Sequence, residues 1–377
     1  MIPIVLALWS AGFPQISCVL PETAKINPGT PMVGKIETSE NIRSTLSLGD
    51  TDSFRLVDGI GDDLPGIYVD EFAGRRLIST SFPELLPELR EWASSLTPPV
   101  TTYWKRLDQR DRKSPDLISG TPVENSFEIS EQGVRYLVSF QSGYSQGIFL
   151  DQRDNRRRVR DRCQPGDTIL NTFAYTGAFS VCAALAGATT TTLDLSQPYI
   201  DWARRNMELN GVDPSSQYFC KGDTFHWLQR FARQKRRFTG IILDPPTFSR
   251  DQDGKVFQAE DHYGHLVSLA TACLSPNGWL LCTTNCQRLS RTSFSRIVGA
   301  AIPSASRTSQ FQCLPILPGS NTSRVSSWRS SRYVGSTSNL EAQRLLTPTY
   351  CMRSIPGRAP RYPESPRQAP EPDPDET

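Results

Sequence analysis

The chain has 377 residues, 37% of them hydrophobic and 21% charged, with 25 Gly and 29 Pro. That length suits one large or two modest domains with a sizeable core, and the low apolar share predicts that part of the chain lies outside any core. A net charge of +2, from 41 basic and 39 acidic residues, excludes a uniformly basic nucleic-acid coat protein, so any nucleic-acid surface must be local.

Residues 1–45 show no sustained periodicity and are expected to form a weakly ordered extension. The apolar start, Met1 to Pro14, has no basic residue ahead of it and is too short to span a bilayer. No other segment approaches the ~20 apolar residues of a membrane helix. Phe54-Arg55-Leu56-Val57 and Ile67-Tyr68-Val69-Asp70 read as strands around a Gly/Asp turn, with Arg76 to Thr80 as a third. Leu85, Leu89, Trp92 and Leu96 have helix spacing, and Thr101 to Trp104 and Tyr136 to Phe140 return to strand. Residues 46–145 therefore form a small α+β module.

From about Asp151 the rhythm becomes strand–helix alternation. Apolar strands end at Asn171, Asp194, Cys220, Asp244 and Thr283, and helices follow from Ala178, Pro198, Thr224, Asp261 and Thr292. Residues 146–303 thus specify an α/β domain with a mostly parallel, doubly covered sheet. After Pro303 the alternation stops. Residues 304–377 are rich in Ser, Arg and Pro, contain no Lys, and are expected to be disordered.

Nine scattered Cys, no Cys-x-x-Cys pair and three His argue against a structural metal. Cysteines inside apolar runs, such as Cys182 and Cys282, read as reduced core residues of a cytoplasmic protein. In a parallel sheet, ligands bind at the carboxyl ends of the strands. Acidic residues stand at three of these ends: Asp194, Asp223 and Asp244. An acid after the second strand can accept both hydroxyls of a ribose, and one after the third can receive an adenine amine. Only Gly177 follows the first strand, where a dinucleotide fold needs Gly-x-Gly-x-x-Gly, and no phosphate-binding Lys-Ser or Lys-Thr stands there. The pattern fits a nucleoside cofactor without phosphate, S-adenosylmethionine.

Three motifs carry a resemblance: Gly147-Ile148-Phe149-Leu150-Asp151-Gln152-Arg153-Asp154-Asn155-Arg156, Asn171-Thr172-Phe173-Ala174-Tyr175-Thr176-Gly177, and Asp244-Pro245-Pro246-Thr247-Phe248-Ser249. Over roughly residues 50–303 the chain resembles the class I S-adenosylmethionine-dependent methyltransferases acting on bacterial 23S rRNA. The resemblance implies a Rossmann-like catalytic domain behind an RNA-binding-like module. Its cofactor residues would be Asn171, Phe173, Tyr175, Thr176, Gly177, Asp194, Ser196, Asp223 and Asp244, with Asp244, Pro245, Pro246 and Thr247 facing the base. Arg153, Arg156, Arg157 and Arg158, beside the presumed site mouth, are expected to contact RNA phosphates, which suit the planar Arg fork. His262 and His265 lie one helical turn apart but lack a third ligand.

Asp-Pro-Pro-Thr-Phe-Ser, together with Thr284-Asn285-Cys286-Gln287-Arg288, leans toward the guanine-N7 branch of this family. A ring nitrogen has a lone pair and needs mainly positioning and exclusion of water. Cytosine C5 needs a thiolate to add at C6 first, for which Cys286 is the candidate; in cytosine-C5 members, however, the Cys falls where this chain has Asn285. An inert RNA- or cofactor-binding protein is the remaining alternative, because the resemblance breaks off near residue 303. One permitted coding of Cys313 to Arg324, read one base earlier, yields Met-Pro-Pro-Asp-Phe-Thr-Gly-Lys-Gln-Tyr-Leu-Lys. That looks like the ending expected of the family, so the sequence reads as frameshifted between about Pro303 and Gln312, with a sheet edge left exposed.

Overall fold

The computed structural model describes residues 31–353, apart from 47, 108–112, 124–125, 144, 251–255, 287, 303–309 and 314–348. Helix α1 (Met32–Ser44) opens it. It corrects the expectation of weak order over 1–45 for these residues. Its buried stripe is Met32, Ile36, Ser39 and Arg43, helically spaced but half polar, which is why no apolar period announces it. Arg43 pairs bidentately with Asp62 at 2.8 and 2.7 Å.

The module sheet runs β1 (Ser53–Asp58), β2 (Ile67–Phe72), β3 (Arg75–Thr80), β4 (Thr102–Arg106) and β5 (Asp116–Ser119) in spatial order. All neighbours are antiparallel except β3 and β4, which are parallel and joined by the crossover helix α2 (Pro87–Ser95). Leu89, Trp92 and Ala93 of α2 pack with Val57, Ile67, Val69, Ile78 and Ile36 into one apolar cluster.

A hairpin, β6 (Phe127–Glu131) and β7 (Val134–Val138), stands apart from that sheet. Its inner residues Ile129, Tyr136 and Val138 join Val181, Cys182 and Met207 of the following domain in a second cluster. Phe72, Leu77 and Tyr103 of the module sheet are in the same cluster, so the hairpin packs between the two parts of the chain. Helix α3 (Arg153–Arg162) comes next, where the sequence reading saw only a basic cluster.

The main sheet contains β8 (Thr168–Thr172), β9 (Thr189–Asp194), β10 (Tyr218–Lys221), β11 (Phe238–Leu243) and β14 (Leu274–Thr283) in the order β10-β9-β8-β11-β14, all parallel. Between them run α4 (Ala178–Leu185), α5 (Gln197–Leu209), α6 (Thr224–Arg233) and α7 (Ala259–Ala272), and α8 (Arg291–Ala301) follows. A short hairpin, β12 (Phe248–Arg250) and β13 (Val256–Gln258), leads into α7. The chain moves outward from β8 to β10 and then restarts at β11, so the switch point where ligands bind in such sheets lies between β8 and β11. Strand β9 is unusual in burying Thr190, Thr191 and Thr192. Each hydroxyl is engaged: Thr190 donates to the Gln217 side chain, Thr191 accepts from Arg236, and Thr192 donates to Ser180.

Beyond β14 lie β16 (Thr349–Arg353) and β15 (Gln310–Cys313), both antiparallel to their neighbours. This corrects the expectation for the tail and for the exposed edge: two pieces of 304–377 are strands, and β14 is covered. Gln-Phe-Gln-Cys alternates polar and apolar residues and Thr-Tyr-Cys-Met-Arg holds a short apolar run, signals hidden by the Ser/Arg/Pro background. Most of the stretch read as frameshifted, and Met1 to Pro14, lie outside the described residues. Among the described residues, no helix is long and apolar enough to cross a membrane, six cysteines are free, and no group of three His, Cys, Asp or Glu could hold a metal.

Candidate active site

The loop after β8 is shaped by three residues in the left-handed region, Phe173 (φ 52°), Tyr175 (φ 52°) and Gly177 (φ 75°). Non-glycine residues there cost of order 1–3 kcal/mol each and persist only where the surroundings hold them. The holds are visible. Asp194 accepts from the Tyr175 N–H at 2.8 Å and from the Ser196 N–H at 2.9 Å. The Tyr175 hydroxyl accepts from the Gly147 N–H at 2.8 Å, and the Thr176 hydroxyl donates to the Gly147 carbonyl at 2.5 Å. A Cβ on Gly177 would sit 2.6 Å from that of Ala203, so only glycine lets α5 approach this turn.

Two residues expected to touch the cofactor are therefore corrected. Thr176 is fully buried with its hydroxyl on Gly147, and Asn171 is buried with its amide donating to Ser180 at 2.9 Å. Both hold the loop's shape. Asp194 is half-buried, and burial pushes its carboxyl up to about 6 against the backbone donors that lower it. Asp223 caps α6, accepting from the His226 N–H at 2.9 Å.

A cleft of about 220 Å³ opens beside these ends, lined by Phe173, Leu195, Asp223, Thr224, Phe225, Gln229, Val256, Phe257, His262 and His265. No Lys or Arg lines it, so a phosphate-bearing cofactor would find no fixed cation there. Aromatic and aliphatic walls with one carboxylate suit an uncharged purine carrying an amine donor. His262 and His265 face Phe257 and Phe225 as aromatic neighbours. The residues present thus fit S-adenosylmethionine: Asp223 and Phe225 line the cleft and would meet an adenine, and Asp194 and Ser196 stand at the neighbouring strand end, where a ribose would lie.

Asp244 follows β11, and Pro245 and Pro246 hold the chain extended beyond it. Its Oδ1 accepts from the Thr283 hydroxyl and from Gln152 Nε2 at 3.4 Å. Burial raises its carboxyl to about 6, while Thr283 and the Arg156 charge oppose that. The Tyr263 hydroxyl lies 2.9 and 2.8 Å from the Leu243 and Thr283 carbonyls, pinning the ends of β11 and β14 together. Thr247 donates to Asn285 Oδ1 at 2.5 Å, bringing the two sequence-predicted base-facing loops into contact. Cys286 is buried, and its thiol donates to Glu260 at 3.3 Å. Burial and the Glu260 carboxylate raise the thiol's pKa, against the backbone N–H groups of Arg288 and Leu289, which lower it. The net shift is upward, whereas an activated thiol nucleophile needs its pKa lowered.

The arginine cluster divides in the structure. Arg156 is buried, with Nε and Nη2 on the Glu131 carboxylate at 2.7 and 2.6 Å and Nη1 on the Phe149 carbonyl at 2.9 Å. Arg153 is buried beside Asp154. Helix α3 thus turns both inward, Arg156 onto the Glu131 carboxylate of the hairpin. Arg157 and Arg158 are half-exposed, and Arg158 donates to Asn155 at 3.0 Å. Gln152 and Asn155, members of the first motif to which the sequence assigned no role, are buried here, and Gln152 reaches Asp244.

Comparison with known proteins bears on the whole arrangement. The family described as S-adenosylmethionine-dependent methyltransferase matches residues 84–311. Ribosomal RNA large subunit methyltransferase I of Erwinia tasmaniensis is 34% identical over 295 residues, covering 74% of this chain and 72% of that protein. The protein of the same name from Klebsiella pneumoniae strain 342 is 34% identical over 289 residues, with 74% and 71% covered. A candidate S-adenosylmethionine-dependent methyltransferase from Streptococcus mutans has a similar fold, with a TM-score of 0.72 at 24% identity over 85% of this chain and 80% of its own. The chain belongs to the S-adenosylmethionine-dependent methyltransferase family.

Proposed function

We propose that this enzyme methylates a nucleobase nitrogen of large-subunit rRNA, guanine N7 by preference. When bound, S-adenosylmethionine supplies an electrophilic methyl group on a sulfonium. The names of the relatives support the RNA substrate. The state of Cys286 carries the choice of atom: a buried thiol donating to Glu260 is a poor source of the thiolate that cytosine C5 requires. Guanine N7 loses no proton on methylation, so its site needs acceptors and steric fit but no general base. Asp244 and the Thr247–Asn285 pair are the groups offered for that, and Arg157 is left as the α3 side chain for phosphate contact.

The test is transfer of labelled methyl to a large-subunit rRNA transcript, followed by nucleoside digestion and mass identification. The expected product is 7-methylguanosine, with Cys286→Ser retaining activity within about twofold. A 5-methylcytidine product, or a covalent complex with 5-fluorocytosine RNA that Cys286→Ser abolishes, would overturn the nitrogen assignment.

A further inference from the structure

The first turns of α3 carry a line of side chains whose polarity is fixed from one end to the other. Arg158 has only donors, and its Nη1 bonds Asn155 Oδ1 at 3.0 Å. That sets the Asn155 amide, whose Nδ2 donates to Gln152 Oε1 at 2.6 Å. The Gln152 amide is set in turn, and its Nε2 points at Asp244 Oδ1 at 3.4 Å. Gln152 and Asn155 are both buried. Thr283 donates to the same oxygen from β14. Two donors therefore converge on Oδ1, while Oδ2 has no hydrogen-bond partner among the described residues.

We propose that Gln152 and Asn155 are positioning residues that keep Asp244 an ionised acceptor, with Oδ2 left for an N–H donor of a bound ligand. The inference rests on the reading of Asp244 as a ligand-facing residue. The reason is electrostatic bookkeeping. Asp244 lies close to the Asp151 carboxylate on the turn before α3, a like charge that favours a proton on one of the two. Arg156 of α3 opposes that from behind, and Thr283 is the other donor; Tyr263 of α7 bonds the neighbouring carbonyls rather than the carboxylate. An amide turned the other way would put an oxygen against Asp244 and favour its protonated form.

Two near-isosteric variants of the full chain test this. Gln152→Glu replaces the donor by a carboxylate. Asn155→Asp keeps an acceptor for Arg158 but cannot donate, so Gln152 must flip and present its oxygen. The readout is kcat/KM for methyl transfer to a large-subunit rRNA transcript from pH 5 to 9, with calorimetric Kd for S-adenosylmethionine and urea midpoints measured alongside. Both variants should move the acid limb to higher pH, Gln152→Glu by about one unit or more and Asn155→Asp by less. A limb that moves with the cofactor's Kd identifies its ammonium as the donor, and one that moves at constant Kd identifies the base. An acid limb unmoved in either folded variant overturns the proposal, and if Gln152→Glu does not fold, Asn155→Asp decides alone. Asp244→Asn separates the two levels. If it is inactive while the limb stays put in the other variants, only the relay is wrong; if it is fully active, the ligand-facing reading of Asp244 fails.

Discussion

Replacing Arg156 by Met should unfold the protein more readily while leaving its RNA affinity nearly intact. Arg156 and Glu131 are each 2% exposed, and the guanidinium makes three bonds, two to the carboxylate and one to the Phe149 carbonyl. Removing the cation leaves a buried carboxylate without its counter-charge, which costs about 3–5 kcal/mol. That is a large fraction of the ~5–15 kcal/mol of a typical domain. Adding Glu131→Gln to Arg156→Met removes the stranded charge and should recover more than half of the loss. Urea unfolding followed by tryptophan fluorescence gives the free energies, and filter binding across a salt series gives the RNA side. The reasoning is refuted if Arg156→Met has the wild-type urea midpoint and its salt slope for RNA falls by about one, the signature of a lost phosphate contact. Arg157→Glu, on the outer side of the same helix, should show that slope change at an unchanged midpoint.

Protonation of the two raised carboxylates gives a pH prediction with opposite signs for folding and for ligand. Asp194 and Asp244 titrate near 6 when folded, above their ordinary value, so each favours the folded state most below about pH 4 and loses that contribution as pH rises from about 4 to 6. If Asp194 receives the ribose hydroxyls it does so ionised, and calorimetry should then show the Kd for S-adenosylmethionine rising as pH falls from 7 to 5. Gly177→Ala should cost at least 2 kcal/mol or so in urea unfolding, from the positive φ and the 2.6 Å contact; Ala203→Gly on top should restore only the contact share. Tyr263→Phe should lower stability by about 1–3 kcal/mol, since two buried carbonyls at the ends of β11 and β14 lose their donor.

The alternation of the catalytic domain was legible because each parallel strand is an unbroken apolar run that ends in a polar residue, as at Ile241-Ile242-Leu243-Asp244. Which acids stand at the strand ends was legible for the same reason. What a side chain does at such an end was not. Asn171 and Thr176 sit in the right loop, yet their bonds to Ser180 and Gly147 depend on partners that the sequence places 9 and 29 residues away. The arginine run misled more directly. On paper Arg153, Arg156, Arg157 and Arg158 are equivalent cations; the helical phase of α3 buries two of them, and a carboxylate from the β6–β7 hairpin holds Arg156. Helix α1 escaped because half of its buried stripe is Ser39 and Arg43, and a composition reading counts those as surface.

The threonines of β9 have a consequence for how Asp194 reaches its post. A strand normally keeps its setting in a sheet because a slip by one residue would turn its apolar face to water. In Thr189-Thr190-Thr191-Thr192 every side chain is the same, so that penalty falls on Leu193 alone. Here a slip would instead separate each hydroxyl from Gln217, Arg236 or Ser180 at once and strand polar groups in a dry interior. The strand is thus keyed like a lock by its donors and acceptors, and the residue at its tip is delivered to the Tyr175 and Ser196 amides with no freedom to arrive one place early or late.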